Sequence, residues 1–135
     1  MANDCIPFYE PGDKITVSAA AALTGKRCVA ISANRQSGPG LSDTSEGGNL
    51  VVNYPSAGAA IFGVLAHDVA QNGKVACFRG NGFIVPITVG AGNISAWAEV
   101  EVDGSGRVIA KSAGVAIGRA VNAATSGNDA EIALY

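Results

Sequence analysis

A chain of 135 residues has room for one domain, and a domain of that size buries about two-thirds of its unfolded surface, enough for a core without disulfide or metal staples. Apolar residues make up 48% and charged residues 15%, the latter against about 25% in an average domain, which excludes a chain held open by its own charge. Nine basic and eleven acidic residues give a net charge of −2, with Lys26-Arg27 the only adjacent basic pair, so no stripe suited to phosphates exists and nucleic acid is not an expected partner. A surface this neutral, rich in Ala, Gly, Ser and Asn, suits contact with other protein rather than isolation in solvent.

The opening stretch, MANDCIPFYEPGD, lacks the basic-then-apolar pattern of a signal peptide. Its two prolines remove backbone donors, and Ile6, Phe8, Tyr9 and Pro11 are the candidate contact residues of an extended arm that orders on a neighbouring protein, for example by strand addition. A frayed terminus or an ordinary first strand fits the same residues. The expected organisation is an arm at 1–14 and one β-rich domain at 15–135.

SAAAALTG (18–25) has the highest local helix propensity, but it is short and flanked by β-branched residues, so a strand or turn fits as well. KRCVAIS (26–32) reads as a strand. ANRQSGPGLSDTSEGGN (33–49) reads as a long polar loop, a length that usually accompanies function or mobility; its Ser, Gly and Asp content favours solvent over contact. LVVNY (50–54), AIFGVLA (60–66) and KVACFR (74–79) are further strands, the last two joined by HDVAQNG with its Asn72-Gly73 turn dipeptide. FIVPITV (83–89) contains Pro86, which cannot donate to a ladder and predicts an edge or bulged strand. WAEVEV, DGSG and RVIAKS read as a hairpin over 97–112, with glutamates on one face and valines on the other. GVAIGRAVNAATSG (114–127) favours strand over helix because of Gly118 and its β-branched residues, and AEIALY (130–135) closes the chain as a strand. Two uncharged stretches, 47–66 and 80–98, approach membrane-span length, but Pro55, Pro86 and several glycines interrupt them. The fold class is mainly β, a small barrel or sandwich with at most one or two short helices.

Chemistry is sparse. His67 is the single histidine, followed by Asp68, with Cys77 and Arg79 downstream. Neighbours on a strand point to opposite faces, so Asp68 cannot readily orient His67; Asp68 is expected to accept turn amides and His67 to sit at a strand end. Cys5, Cys28 and Cys77 are odd in number and widely spaced, which reads as reduced thiols acting as small hydrophobes. Structural zinc sites place ligands in close pairs, and here the nearest candidates, His67 and Cys77, lie ten residues apart. Gly-Lys at 25–26 and 73–74 lacks the flanking residues of a phosphate loop. Asn93-Ile94-Ser95 matches a glycosylation sequon, meaningful only for a secreted chain. Glu99 and Glu101 are expected on a solvated face. Phe62, Phe78, Phe83 and Trp97 are core or subunit-interface residues. No enzyme, metal or cofactor is expected.

YEPGDKITVSAAAALTGKRCVAIS near the start, FGVLAHDVAQNGKVACFRG in the middle and GVAIGRAVNAATSGNDAEIALY at the end together resemble the small capsid decoration (cement) proteins of tailed bacteriophages, including those grouped under the DUF2190 name. The shared pattern is an early Pro-Gly-Asp, a Thr-Gly turn before a Val-Ile strand, a Gly-Val-Ala…His-Asp landmark and a Gly-Ala-rich stretch before a β-rich end. The 33–49 insertion and Leu65 within FGVLAHD depart from it.

The resemblance implies a virion component made in the bacterial cytoplasm that docks on the outer surface of the expanded head. There it would stabilise contacts between major capsid subunits, commonly as a homotrimer and sometimes as a dimer. It implies no catalytic residues, no membrane and no nucleic acid as partner. A tail-tube or head-completion subunit is the alternative. A small hydrolase using His67 and Cys77 ranks lower, as does a carbohydrate-binding module, for which one Trp and three Tyr offer a thin aromatic platform.

Overall fold

A computed structural model describes residues 14–36 and 49–135 of the chain. Every regular element in it is a strand. The first five, β1 (Ile15–Ala19), β2 (Cys28–Gln36), β3 (Asn49–Asn53), β4 (Gly63–Leu65) and β5 (Lys74–Phe78), close into a barrel in the order β1-β3-β2-β4-β5. β1 lies parallel to β3 and antiparallel to β5, with Ile15 opposite Cys77 and Val17 opposite Val75. Closure leaves this half without a free edge.

The Ala-rich segment forms no helix. Ala19 and Ala20 donate to Gly73 and Val52, and Leu23 exchanges hydrogen bonds with Val69, so tertiary partners take the amides that a helix too short to nucleate would need. The polar loop is shorter than expected. Pairing of β2 with β3 runs out to Gln36 opposite Asn49, with register shifts on either side of the Ala33–Val51 pair. The Asn-Gly turn is placed differently as well: Gly73 donates to Ala70, and Asn72 takes the left-handed φ of 63° at the third turn position, a type II geometry that Asn tolerates.

The second half is a five-stranded sheet of β6 (Ile84–Thr88), β7 (Glu99–Val102), β8 (Val108–Ala110), β9 (Gly118–Ala120) and β10 (Asp129–Leu134), ordered β6-β10-β9-β7-β8. All its pairings are antiparallel. Pro86 sits on the edge strand β6. Val89 donates to Asn128 on the β10 side whereas Thr88 donates outward to Lys26, so by alternation the Pro86 nitrogen faces away from β10 and no ladder bond is lost. Gly118 is required in β9, because a Cβ there would run into the Ala133 carbonyl oxygen of β10.

The Glu99/Glu101 reading needs correcting. Val100 and Val102 are fully buried as the alternation predicts, but Glu101 on the opposite face is only 6% exposed. The chain leaving β8 folds over it. Ser112 and Gly114 donate their amides to Glu101 Oε2 at 2.9 and 2.7 Å, and the Ser112 hydroxyl lies 3.5 Å from Oε1. These donors hold the carboxyl below the ordinary range, the Ser112 amide most. Glu99 is half-buried.

Two apolar clusters fill the halves. Val17, Val29, Val52, Leu65, Val75 and Cys77 pack inside the barrel; Val85, Ile87, Ile94, Val100, Val108 and Ile132 pack under the sheet. Each such side chain contributes about 1.5–3 kcal/mol relative to exposure. Two barrel strands serve both clusters. On β2, Cys28 faces the sheet core and Val29 the barrel core; on β4, Val64 and Leu65 divide in the same way. Polar bonds reinforce this shared wall. Lys26, at a left-handed φ of 58°, donates to Leu65, accepts from Thr88 and pairs with Asp129 at 2.7 Å. The turn after β7 is tied by Asp103, which accepts from the Ser105 and Arg107 amides. That turn docks on β2 through Cys28 N–H to Gly106 O at 2.7 Å.

Candidate docking surface

Of the large apolar residues exposed among the described residues, three gather on or beside the outer face of the second sheet: Ile84, Trp97 and Tyr135, which are 60, 62 and 51% exposed. The register sets one row across that face. Ile84 lies opposite Ala133, Ala133 opposite Arg119, and Arg119 opposite Glu99. Arg119 reaches over the Trp97 ring, 5.4 Å from its centroid, and donates Nη1 to the Trp97 carbonyl at 2.9 Å. Trp97 itself holds a left-handed φ of 63°, pinned by its amide on Ala120 O at 2.7 Å. A bulky residue at positive φ persists only where its surroundings dictate it.

Tyr135 donates its hydroxyl to Glu99 Oε2 at 2.6 Å, and that carboxylate is the first cause of a raised phenol pKa. The result is a pre-positioned Trp, Arg and Tyr, the residue types that dominate binding energy at protein interfaces.

A shallow cleft between the halves continues this surface. Ile61, Phe62, Ile117 and Leu134 form its floor, and Arg79 and Tyr135 stand at its rim. Arg79 repeats the arrangement of Arg119: its guanidinium lies 4.7 Å over the Phe62 ring, and Nε donates to Phe62 O at 2.9 Å. Gly63 lets β4 and β5 approach here, since a Cβ would meet Phe78 O and the Cys77 sulfur.

The residues singled out for chemistry are dispersed. Asp68 Oδ1 accepts the Gly25 amide at 2.8 Å, and the His67 ring Nδ1 lies 2.8 Å from the Asp68 carbonyl oxygen. Asp68 therefore ties down the Thr24-Gly25 turn, where a Cβ on Gly25 would also strike the His67 backbone. Cys77 is enclosed in the barrel, and burial pushes its thiol up to about 12; burial raises Cys28 further still. No group of three potential metal ligands gathers among the described residues. Phe78 and Phe83 pack ring to ring at 5.4 Å against the sheet core. Trp97, expected in a core or an interface, lies on the surface. Ile6, Phe8, Tyr9 and Pro11 fall outside the described residues, as does most of the 33–49 loop.

The outer-face cluster was not assembled from the sequence, although one signal was there. Trp97 shares its parity with Glu99 and Glu101, which already puts it opposite the buried valines. Arg119 and Tyr135 are brought to it by pairings across the sheet that no local pattern records.

No family model matches the chain, and no curated protein matches it. A solved structure does. The chain has the fold of the N base of the head fiber gp8.5 of bacteriophage phi29, with a TM-score of 0.68 over 90% of this chain and 92% of that one. Identity is 14%, so the likeness is one of backbone architecture and carries over no individual side chain.

Proposed function

We propose that this chain is a structural component of a tailed-phage head that docks on the outside of the expanded capsid and stabilises contacts between major capsid subunits. The observation that carries this reading is the fold shared over nine-tenths of both chains with a phage head fiber base. The motif resemblance to decoration proteins of the DUF2190 kind, and the low surface charge, support it. The Trp97–Arg119–Tyr135 face supplies rigid contact residues for a protein partner. On the head, the 1–14 arm with Ile6, Phe8, Tyr9 and Pro11 adds a second contact. A homotrimer engaging several capsid subunits gains avidity from contacts that are individually of ordinary size.

Co-sedimentation with expanded heads and with unexpanded procapsids, both lacking the protein, tests this. Saturable binding to expanded heads alone, in a stoichiometry fixed by the lattice, is expected. Binding to neither would overturn head docking and point to the tail tube or head-completion complex. Removal of residues 2–10 is expected to weaken binding while leaving the fold intact.

A further inference from the structure

We propose that Asn81 is a self-modifying site: its side-chain amide condenses with the backbone nitrogen of Gly82, and water opens the resulting ring to leave a new carboxylate beside the rim of the cleft. The inference rests on the turn that carries these residues and stands whether or not the chain docks on a capsid.

The sequence holds two Asn-Gly pairs, Asn72-Gly73 and Asn81-Gly82. The pair suits this reaction because glycine puts no side chain in the path of its own nitrogen. The fold treats the two oppositely. Asn72 donates its amide to Ala19 O at 2.8 Å, Gly73 donates to Ala70 O at 2.9 Å, and the Gly73 carbonyl accepts from Ala19 at 3.0 Å. A Cβ on Gly73 would strike the Val69 side chain, so this pair is enclosed as well as bonded. Its glycine nitrogen can swing toward the Asn72 side chain only when the turn opens.

Asn81-Gly82 lies in the connection that carries the chain from β5 of the barrel to β6 of the sheet. One bond closes that turn, from Phe83 N–H to Gly80 O, and at 3.5 Å it is long for a hydrogen bond. Asn81 and Gly82 are both exposed. Neither the Gly82 N–H nor the Asn81 side-chain amide has a hydrogen-bond partner among the described residues. Gly80 and Gly82 hold φ of 99° and 105°, and beyond the adjacent residues no atom lies within 4 Å of a Cβ built on either. Asp103-Gly104 could form the same ring, but Asp103 is held: Oδ1 accepts two amides and Oδ2 pairs with Arg107.

The reaction balances with water alone. The Gly82 nitrogen bonds to Asn81 Cγ, the Cγ–Nδ2 bond breaks, and the amide proton leaves with Nδ2 as ammonia. Water then adds to one carbonyl of the five-membered imide and breaks one of its ring C–N bonds. Opening at Cγ gives aspartate; opening at the backbone carbonyl gives isoaspartate, with the main chain rerouted through Cβ and Cγ. Nothing is oxidised or reduced. The product adds a negative charge two residues from Arg79 to a chain already at −2.

The test incubates the folded full chain at mildly alkaline pH in heavy-oxygen water, followed by digestion in ordinary water. Cleavage after Lys74 and Arg79 places Asn72 and Asn81 on different peptides. Mass spectrometry is expected to find Asn81 converted to a mixture of aspartate and isoaspartate, each with one heavy oxygen. Its rate should exceed that of Asn72 by roughly tenfold or more, the factor set by having to open hydrogen bonds first. In denaturant the two pairs should react at similar rates, and Asn81→Gln should silence the site while leaving Asn72 unchanged. Asn81 intact in the folded chain but reactive in denaturant would overturn the proposal, as would Asn72 keeping pace with Asn81 in the folded chain. Aspartate without isoaspartate would mean direct hydrolysis and would overturn the ring-forming step.

Discussion

The two halves of the molecule bury similar aliphatic side chains but treat charge differently. The barrel core is wholly apolar, built from Val17, Val52, Leu65 and Val75 around the Cys77 thiol. The sheet half instead carries the carboxylates whose protonation is displaced: Glu101, held by the Ser112 and Gly114 amides, and Asp129, held by Lys26. The barrel closes by pairing every strand, and Asp68 caps the Gly25 amide only in a turn outside those strands. The sheet has a long exit from β8 and fastens its amides on Glu101, whereas Asp129 takes the Lys26 ammonium and the Thr88 hydroxyl. Strand closure and carboxylate capping are two solutions to one requirement, that backbone amides find partners.

The sharpest way to break this comparison is to empty each core in turn. Ile132→Ala under the sheet and Leu65→Ala in the barrel should each cost about 2–5 kcal/mol, read by denaturant unfolding. Because Cys28/Val29 and Val64/Leu65 face both cores, each variant should still unfold in one transition; two separated transitions would show that the halves are independent. Next in size is Gly106→Ala. Its φ of +76° and a Cβ directed at the Cys28 carbonyl oxygen should destabilise the seam between the halves by about 1–3 kcal/mol.

Titration separates the carboxylates from the thiols by sign. Glu101 and Asp129 sit below their ordinary values of 4.5 and 3.8, so their contribution is complete above those values and is lost as pH falls through the depressed folded ones. Stability should therefore decline below about pH 4.5, and Glu101→Gln should flatten that decline. The raised Cys77 thiol works the other way. Its contribution is complete below the ordinary 9.0 and is lost as pH climbs toward about 12, an alkaline slope that Cys77→Ala should reduce. The smallest effect belongs to Lys26→Met. Its ion pair with Asp129 is largely exposed, at 55 and 37%, so its loss should cost at most about 1 kcal/mol and less in high salt.

Most strands were legible because alternation is a local property: EVEV and FIVPITV announce their faces, and Pro86 announces an edge. What escaped was set by distant chain. Glu101 looks solvated within its own strand, and only the return of residues 112–114 over that face buries it. The alanine run reads as helix, strand or turn alike until Gly73, Val52 and Val69 claim its amides. The polar loop is overdrawn at both ends because β2 continues to Gln36, which pairs with Asn49 in spite of the polarity of both. The docking face was hidden for a similar reason: Arg119 meets Glu99 and Ala133 through pairings that span 20 and 14 positions of sequence.

The shared wall has a mechanical consequence. With β2 and β4 each presenting alternate residues to both cores, a force applied across the molecule cannot peel one half away while sparing the other. Separating them must expose Cys28 and Val64 and break the Lys26–Thr88 and Cys28–Gly106 hydrogen bonds together. Strain is spread over several bonds acting in parallel, so rupture is a single high-barrier event whose rate governs how long the protein survives under load.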